Sequence, residues 1–194
     1  MELTIQERSF IYRWFNYLLE RELSEEQLQT LQAERFEPFF AFMTELGFAD
    51  QVAKFRFELT ACLRLDVPHL ELAADYAQLF LLDGQQSALP YASAYLNDIE
   101  LADQLNAMDR LLAQSDLAIN RAKNEPSDHL CVHLALLIYL IDQESTQQHT
   151  FIAERLLNWL PQLSEKVVKI TTQTRFYQVL LAWLMAVLQS DIQA

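Results

Sequence analysis

A chain of 194 residues that is 52% hydrophobic and 21% charged can bury the core of one globular domain or two small packed ones. That balance excludes a disordered tail. Its 27 acidic against 14 basic residues give a net charge of -13, which disfavours nucleic acid and anionic membranes as partners and favours a cationic one.

Two glycines in the whole chain leave little material for strand turns, so helices are expected. Ile11, Trp14, Phe15, Leu18 and Leu19 follow the spacing of a one-sided helix. Ser24 and Gln27 form a capping-box pair that starts a second helix at Glu25. A third is predicted from Phe36 to Leu46, stopped by Gly47, and a fourth from Asp50 to Leu65, ended by Val67-Pro68. The fifth covers His69 to Leu82 and closes at Gly84. A loop from Gln85 to Leu96 follows, then a polar helix from Asp98 to Ala118.

Asn120 to Glu125 reads as a short polar linker, with Pro126 suited to the first position of the next helix. That helix, Ser127 to Ile141, is apolar almost all round and should be central. Helices from Gln147 to Leu160 and from Thr172 to Gln189 complete the chain. The expected fold is an all-α bundle of about eight to nine helices in two subdomains, 1–119 and 127–194, joined by a hinge at 120–126. A short hinge between helical units also invites domain swapping into a homodimer.

Cys62 and Cys131 stand in apolar surroundings without CxxC spacing, which suits buried thiols in a reducing compartment. Met1-Glu2-Leu3-Thr4 shows no basic region followed by an apolar run, so no signal peptide is expected. The longest apolar run, Leu134 to Ile141, falls short of the ~20 residues of a membrane span. A cytoplasmic protein without membrane insertion is expected.

Two stretches lack any Lys or Arg: Leu65 to Asp109 and Asn124 to Glu154. The first holds Leu89-Pro90-Tyr91-Ala92-Ser93-Ala94-Tyr95, an apolar, tyrosine-bearing segment where loops are normally polar. Such a loop either folds onto the core through its tyrosines or serves as a binding surface. Asp75 falls on the apolar helix face of Leu72, Tyr76 and Leu79. A carboxylate there needs a partner, either the 85–96 loop or a ligand. The second stretch opens with Glu125-Pro126-Ser127-Asp128-His129. Its acids favour a helix N-terminus, and Glu125 could support protonation of His129.

His129 and His133 are spaced as a metal-binding pair, but zinc needs two more ligands. No paired Glu-x-x-His motifs, Gly-rich phosphate loop or nucleophile elbow is present. A metal-binding helical-bundle enzyme using His129 and His133 is the alternative that these residues leave open.

Glu71-Leu72-Ala73-Ala74-Asp75-Tyr76 with Leu79-Phe80, the Leu89–Tyr95 loop, and Glu125-Pro126-Ser127-Asp128-His129 together resemble the TorD/DmsD/NarJ family. The match spans the chain in length and order, and the loop looks most like the TorD branch. The resemblance implies an all-helical chaperone without enzymatic activity. Its client would be an apo molybdopterin-containing reductase, trimethylamine-N-oxide reductase for that branch. The chaperone would bind the client's twin-arginine signal peptide, assist cofactor insertion and delay export. It also implies Asp75, Tyr76, Pro90, Tyr91, Ser93, Tyr95, Glu125, Asp128 and His129 as client-binding residues. GTP binding is associated with the family, but no residues here can be assigned to it, so no cofactor is expected.

Overall fold

Local side-chain caps decide where several helices begin. Thr4 accepts from the Glu7 backbone N–H, and the Glu7 carboxylate accepts from the Thr4 N–H at 2.8 Å, opening α1 (Ile5–Leu19). Ser24 and Gln27 repeat this reciprocal pair at α2 (Glu25–Gln32), as their spacing predicts. The computed structural model describes residues 3–115 and 126–193.

The helix expected from Phe36 to Leu46 is divided. A 3-10 turn at Glu34–Phe36 leads into α3 (Glu37–Met43), with Pro38 in its first turn. A π turn at Thr44–Phe48 follows, where Gly47 adopts φ 96 and redirects the chain into α4 (Ala49–Cys62). Pro68 opens α5 (Pro68–Phe80). An Asn97–Glu100 capping box starts α6 (Asp98–Gln114). This helix was expected to reach Ala118, but Ser115 already leaves it with ψ 144. Residues 116–125, including Glu125 and nearly all of the predicted hinge, lie outside the described residues.

Three expectations in the C-terminal part need correction. The apolar helix α7 (Leu130–Asp142) begins at Leu130 rather than Ser127, so Pro126 is not its first residue. Pro126 instead lies in a turn, its carbonyl accepting from the His129 N–H at 3.1 Å. The segment predicted as one helix from Gln147 to Leu160 comprises α8 (Gln148–Phe151) and a π turn at Ile152–Leu156. A further helix, α9 (Leu160–Lys169), starts with Pro161 in its first turn and was not anticipated. Finally, α10 (Phe176–Asp191) starts later than Thr172, because the backbone at 173–174 is held elsewhere.

The fold is all-α. Among the described residues, the strand-like pairing is one isolated bridge between Tyr91 and His129. α1 packs along α7, while α10 packs against α4, α5 and α9. Elements from both sides of the predicted hinge therefore share one core. Its aromatic centre joins Trp14 to Trp183 at 5.2 Å between ring centroids, Trp14 to Phe39 at 4.9 Å, and Phe55 to Phe176 at 5.1 Å. Both cysteines are buried thiols. No helix among the described residues is long and apolar enough to cross a membrane.

Candidate client-binding site

The tyrosine loop is fastened at each end by its own chain. At its entry, the Ser87 hydroxyl donates to the Gln78 carbonyl at 2.8 Å and accepts from the Leu82 N–H at 3.0 Å. The Ala88 N–H donates to the Leu79 carbonyl at 2.7 Å. These bonds satisfy groups that the end of α5 leaves unpaired. In the middle, the loop meets the segment that precedes α7. Leu130 N–H donates to the Pro90 carbonyl at 2.8 Å, and Ala92 N–H to the Asp128 carbonyl at 3.0 Å. Ser93 N–H donates to the Asp128 carboxylate at 2.9 Å.

His129 completes the clamp. Its Nδ1 accepts from the Cys131 N–H at 3.1 Å, capping α7, and its ring meets Tyr91 edge-on at 4.9 Å. At the exit of the loop, Tyr95 stacks on Trp159 with the ring planes 18° apart. Burial pushes the Tyr95 phenol up to about 12.

The two segments singled out in the sequence, 88–95 and 126–130, thus lie against each other within one chain. Asp128 and His129 are buried, as is Pro90, and their named bonds hold the loop. Asp128→Ala is expected to cost about 1–3 kcal/mol by stranding the Ser93 N–H. The loop amides should then exchange faster with deuterium, while α1 and α10 keep their protection.

Asp75 and Tyr76 occupy a different setting. Asp75 is 4% exposed and accepts from the Gln173 N–H, the Thr174 N–H and the Thr174 hydroxyl, each at 2.7 Å. Its partner is therefore the approach to α10, not the 85–96 loop. The Tyr76 hydroxyl donates to the Leu19 carbonyl at 3.1 Å, and its ring packs on Phe80 and Tyr177. Of the candidate residues, Ser93 is exposed, and Tyr91 and Tyr95 are half-buried.

His133 is fully buried, with both ring nitrogens occupied. Nδ1 donates to the His129 carbonyl at 3.0 Å, and Nε2 accepts from the Gln104 amide at 2.5 Å. Desolvation lowers its pKa to about 4, so the ring is neutral. The His129/His133 pair is thus a cap and a core group. Among the described residues, no cluster of three or more His, Cys, Asp or Glu side chains is placed to hold a metal. Gly47 lies in a π turn and Gly84 in an exposed turn.

The ends of α5 and the start of α6 expose further side chains that are not among the candidate residues. Val67, Leu70, Leu81, Leu82 and Ile99 are five of the ten large exposed hydrophobics among the described residues, and Ile99 is 84% exposed. Exposed Asp66, Glu71, Asp83, Asp98, Glu100 and Asp109 are interspersed with them. The signal was present in Leu81-Leu82-Asp83 and Asp98-Ile99-Glu100, where apolar residues sit beside acids at helix ends. Two cations from the C-terminal part enter this otherwise acidic region. Arg155 pairs with Asp103, and Lys166 donates to the Gly84 carbonyl at 2.5 Å.

The all-α fold thus carries a loop held by its own chain, and exposed apolar and acidic side chains at the ends of α5 and the start of α6. A family model described as nitrate reductase delta subunit matches residues 45–165. Chaperone protein TorD of Actinobacillus pleuropneumoniae serotype 3 (strain JL03) is 52% identical over 192 residues, covering 98% of this chain and 96% of the relative. Chaperone protein TorD of Pasteurella multocida (strain Pm70) is 44% identical over 194 residues, covering 100% and 99%. The relative of that name in Shewanella pealeana is 36% identical over 199 residues, covering 97% and 89%. The chain belongs to this family of TorD and nitrate reductase delta subunit proteins, whose relatives here are named as chaperones rather than enzymes.

Proposed function

We propose that the protein is a cytoplasmic, system-specific chaperone for a molybdopterin-containing reductase, with trimethylamine-N-oxide reductase as the client. It binds the apoenzyme and its twin-arginine signal peptide, assists cofactor insertion and delays export. The observation that carries this reading is that the ends of α5 and the start of α6 expose Val67, Leu70, Leu81, Leu82 and Ile99 together with carboxylates close to them in sequence. A twin-arginine peptide joins two guanidiniums to an apolar run, and these side chains offer the complement of both. The relatives' name supports the chaperone part of this reading.

In this mechanism the clamp of Asp128 and His129 fixes the loop, so that little ordering is left for the moment of binding. Tyr91, Ser93 and the neighbouring leucines then form the contact, with Glu125 contributing charge. The reading requires no cofactor of the chaperone's own. A swapped homodimer, with α7–α10 of one copy packed on α1–α5 of another, would preserve the same contacts; its size should fall on dilution.

The test is fluorescence anisotropy with the synthetic twin-arginine leader of trimethylamine-N-oxide reductase. Ile99→Ser with Leu70→Ser is expected to weaken binding about tenfold or more, because each side chain loses apolar contact. Glu125→Ala should flatten the salt dependence. Leader affinity equal to that of the unaltered protein in both variants would remove these residues from the mechanism.

A further inference from the structure

A groove of about 570 Å³ lies between α4 and α10, with α9 at its edge. Phe57 from α4 and Val168 from α9 are 71% and 53% exposed along it, an unusual loss of apolar burial. Val179 and Ala182 of α10 extend the apolar wall. The charges here run against the rest of the molecule. In a chain of net charge -13, the groove is flanked by Lys54 and Arg175 against one acid, Glu58. That acid already accepts from the Arg175 backbone N–H at 3.1 Å. Neither the Lys54 ammonium nor the Arg175 guanidinium has an ion-pair partner among the described residues.

We infer that this groove is a second docking surface, and that its occupant is an acidic, apolar peptide segment of a client protein. Exposed Phe57 and Val168 supply contact for leucine-like side chains. Lys54 and Arg175 at the rim supply partners for carboxylates. The preference is opposite to that of the acidic surface on α5 and α6, which suits a basic peptide. One client could therefore be held at two chemically distinct points, and a bound leader would not compete for the groove. The groove is built from α4, α9 and α10 and is independent of the signal-peptide reading.

The test uses the full chain and a fluorescein-labelled helical peptide with leucines on one face and glutamates on the other. A control peptide carries lysines in place of the glutamates. The acidic peptide is expected to bind, to weaken with salt, and to lose at least tenfold in affinity on Lys54→Glu and on Phe57→Ser. Both side chains are exposed, so circular dichroism should be unchanged, and twin-arginine leader affinity should stay within twofold. Equal or tighter binding of the lysine peptide would overturn the inference. So would acidic-peptide affinity that ignores both substitutions. A change in oligomeric size on Phe57→Ser without peptide binding would instead assign the groove to a second copy of the chain.

Discussion

Asp75→Ala should be among the most destabilising single changes in the protein, lowering its unfolding free energy by about 3 kcal/mol or more. The carboxylate is 4% exposed and accepts three bonds of 2.7 Å from Gln173 and Thr174. Truncation strands two backbone N–H groups and a hydroxyl in a site with little access to water. The Thr174 hydroxyl also accepts from the Phe176 N–H at the start of α10, so damage should spread into that helix. Urea unfolding of the variant should show an earlier midpoint, with exchange protection lost first near Phe176. Leader affinity per folded molecule should not change, because Asp75 faces inward. An unmoved midpoint would remove the tether; a stable variant with lost leader affinity would return Asp75 to the client surface.

Lowering the pH should weaken the protein through His133. Its pKa is about 4 when folded, against 6.5 ordinarily, because burial disfavours the imidazolium. The unfolded state therefore takes up the proton first. Stability from this group is complete above about pH 6.5 and is lost progressively as the pH falls towards 4. The full gap corresponds to about 3 kcal/mol. His133→Leu removes the titration but leaves the Gln104 amide without its ring acceptor. The variant should be weaker at pH 7 and show a shallower loss between pH 6.5 and 4.5. Parallel urea titrations measure both slopes; identical slopes would mean that carboxylates elsewhere account for the acid limb.

Features set by near neighbours in the chain are legible in the sequence. The Ser24–Gln27 cap, the Gly47 break and Pro68 can be read from their own surroundings, because each acts within one helical turn. The tyrosine loop and the Asp128-His129 run are also visible, since apolar residues in a loop and acids beside a histidine stand out. Their roles are not, because a clamp depends on a partner distant in sequence. Ser93 and Asp128 are 35 residues apart, and Asp75 and Gln173 are 98 apart. The same distance effect explains the late start of α10. α9 is hidden for a different reason: Pro161, which sits in its first turn, serves equally as the end of a preceding helix. The exposure of Leu70 and Ile99 is not legible in the sequence, because an apolar residue in a helix normally points inward.

The bridge between Tyr91 and His129 has a consequence for synthesis. A ribosome makes the tyrosine loop well before Asp128 and His129. Until they emerge, Ser93 and Ala92 lack the acceptors that hold them in the finished protein. The loop's shape is therefore acquired late, together with the docking of α7 on α1. A nascent chain stopped before Pro126 has the loop sequence but not its clamped form.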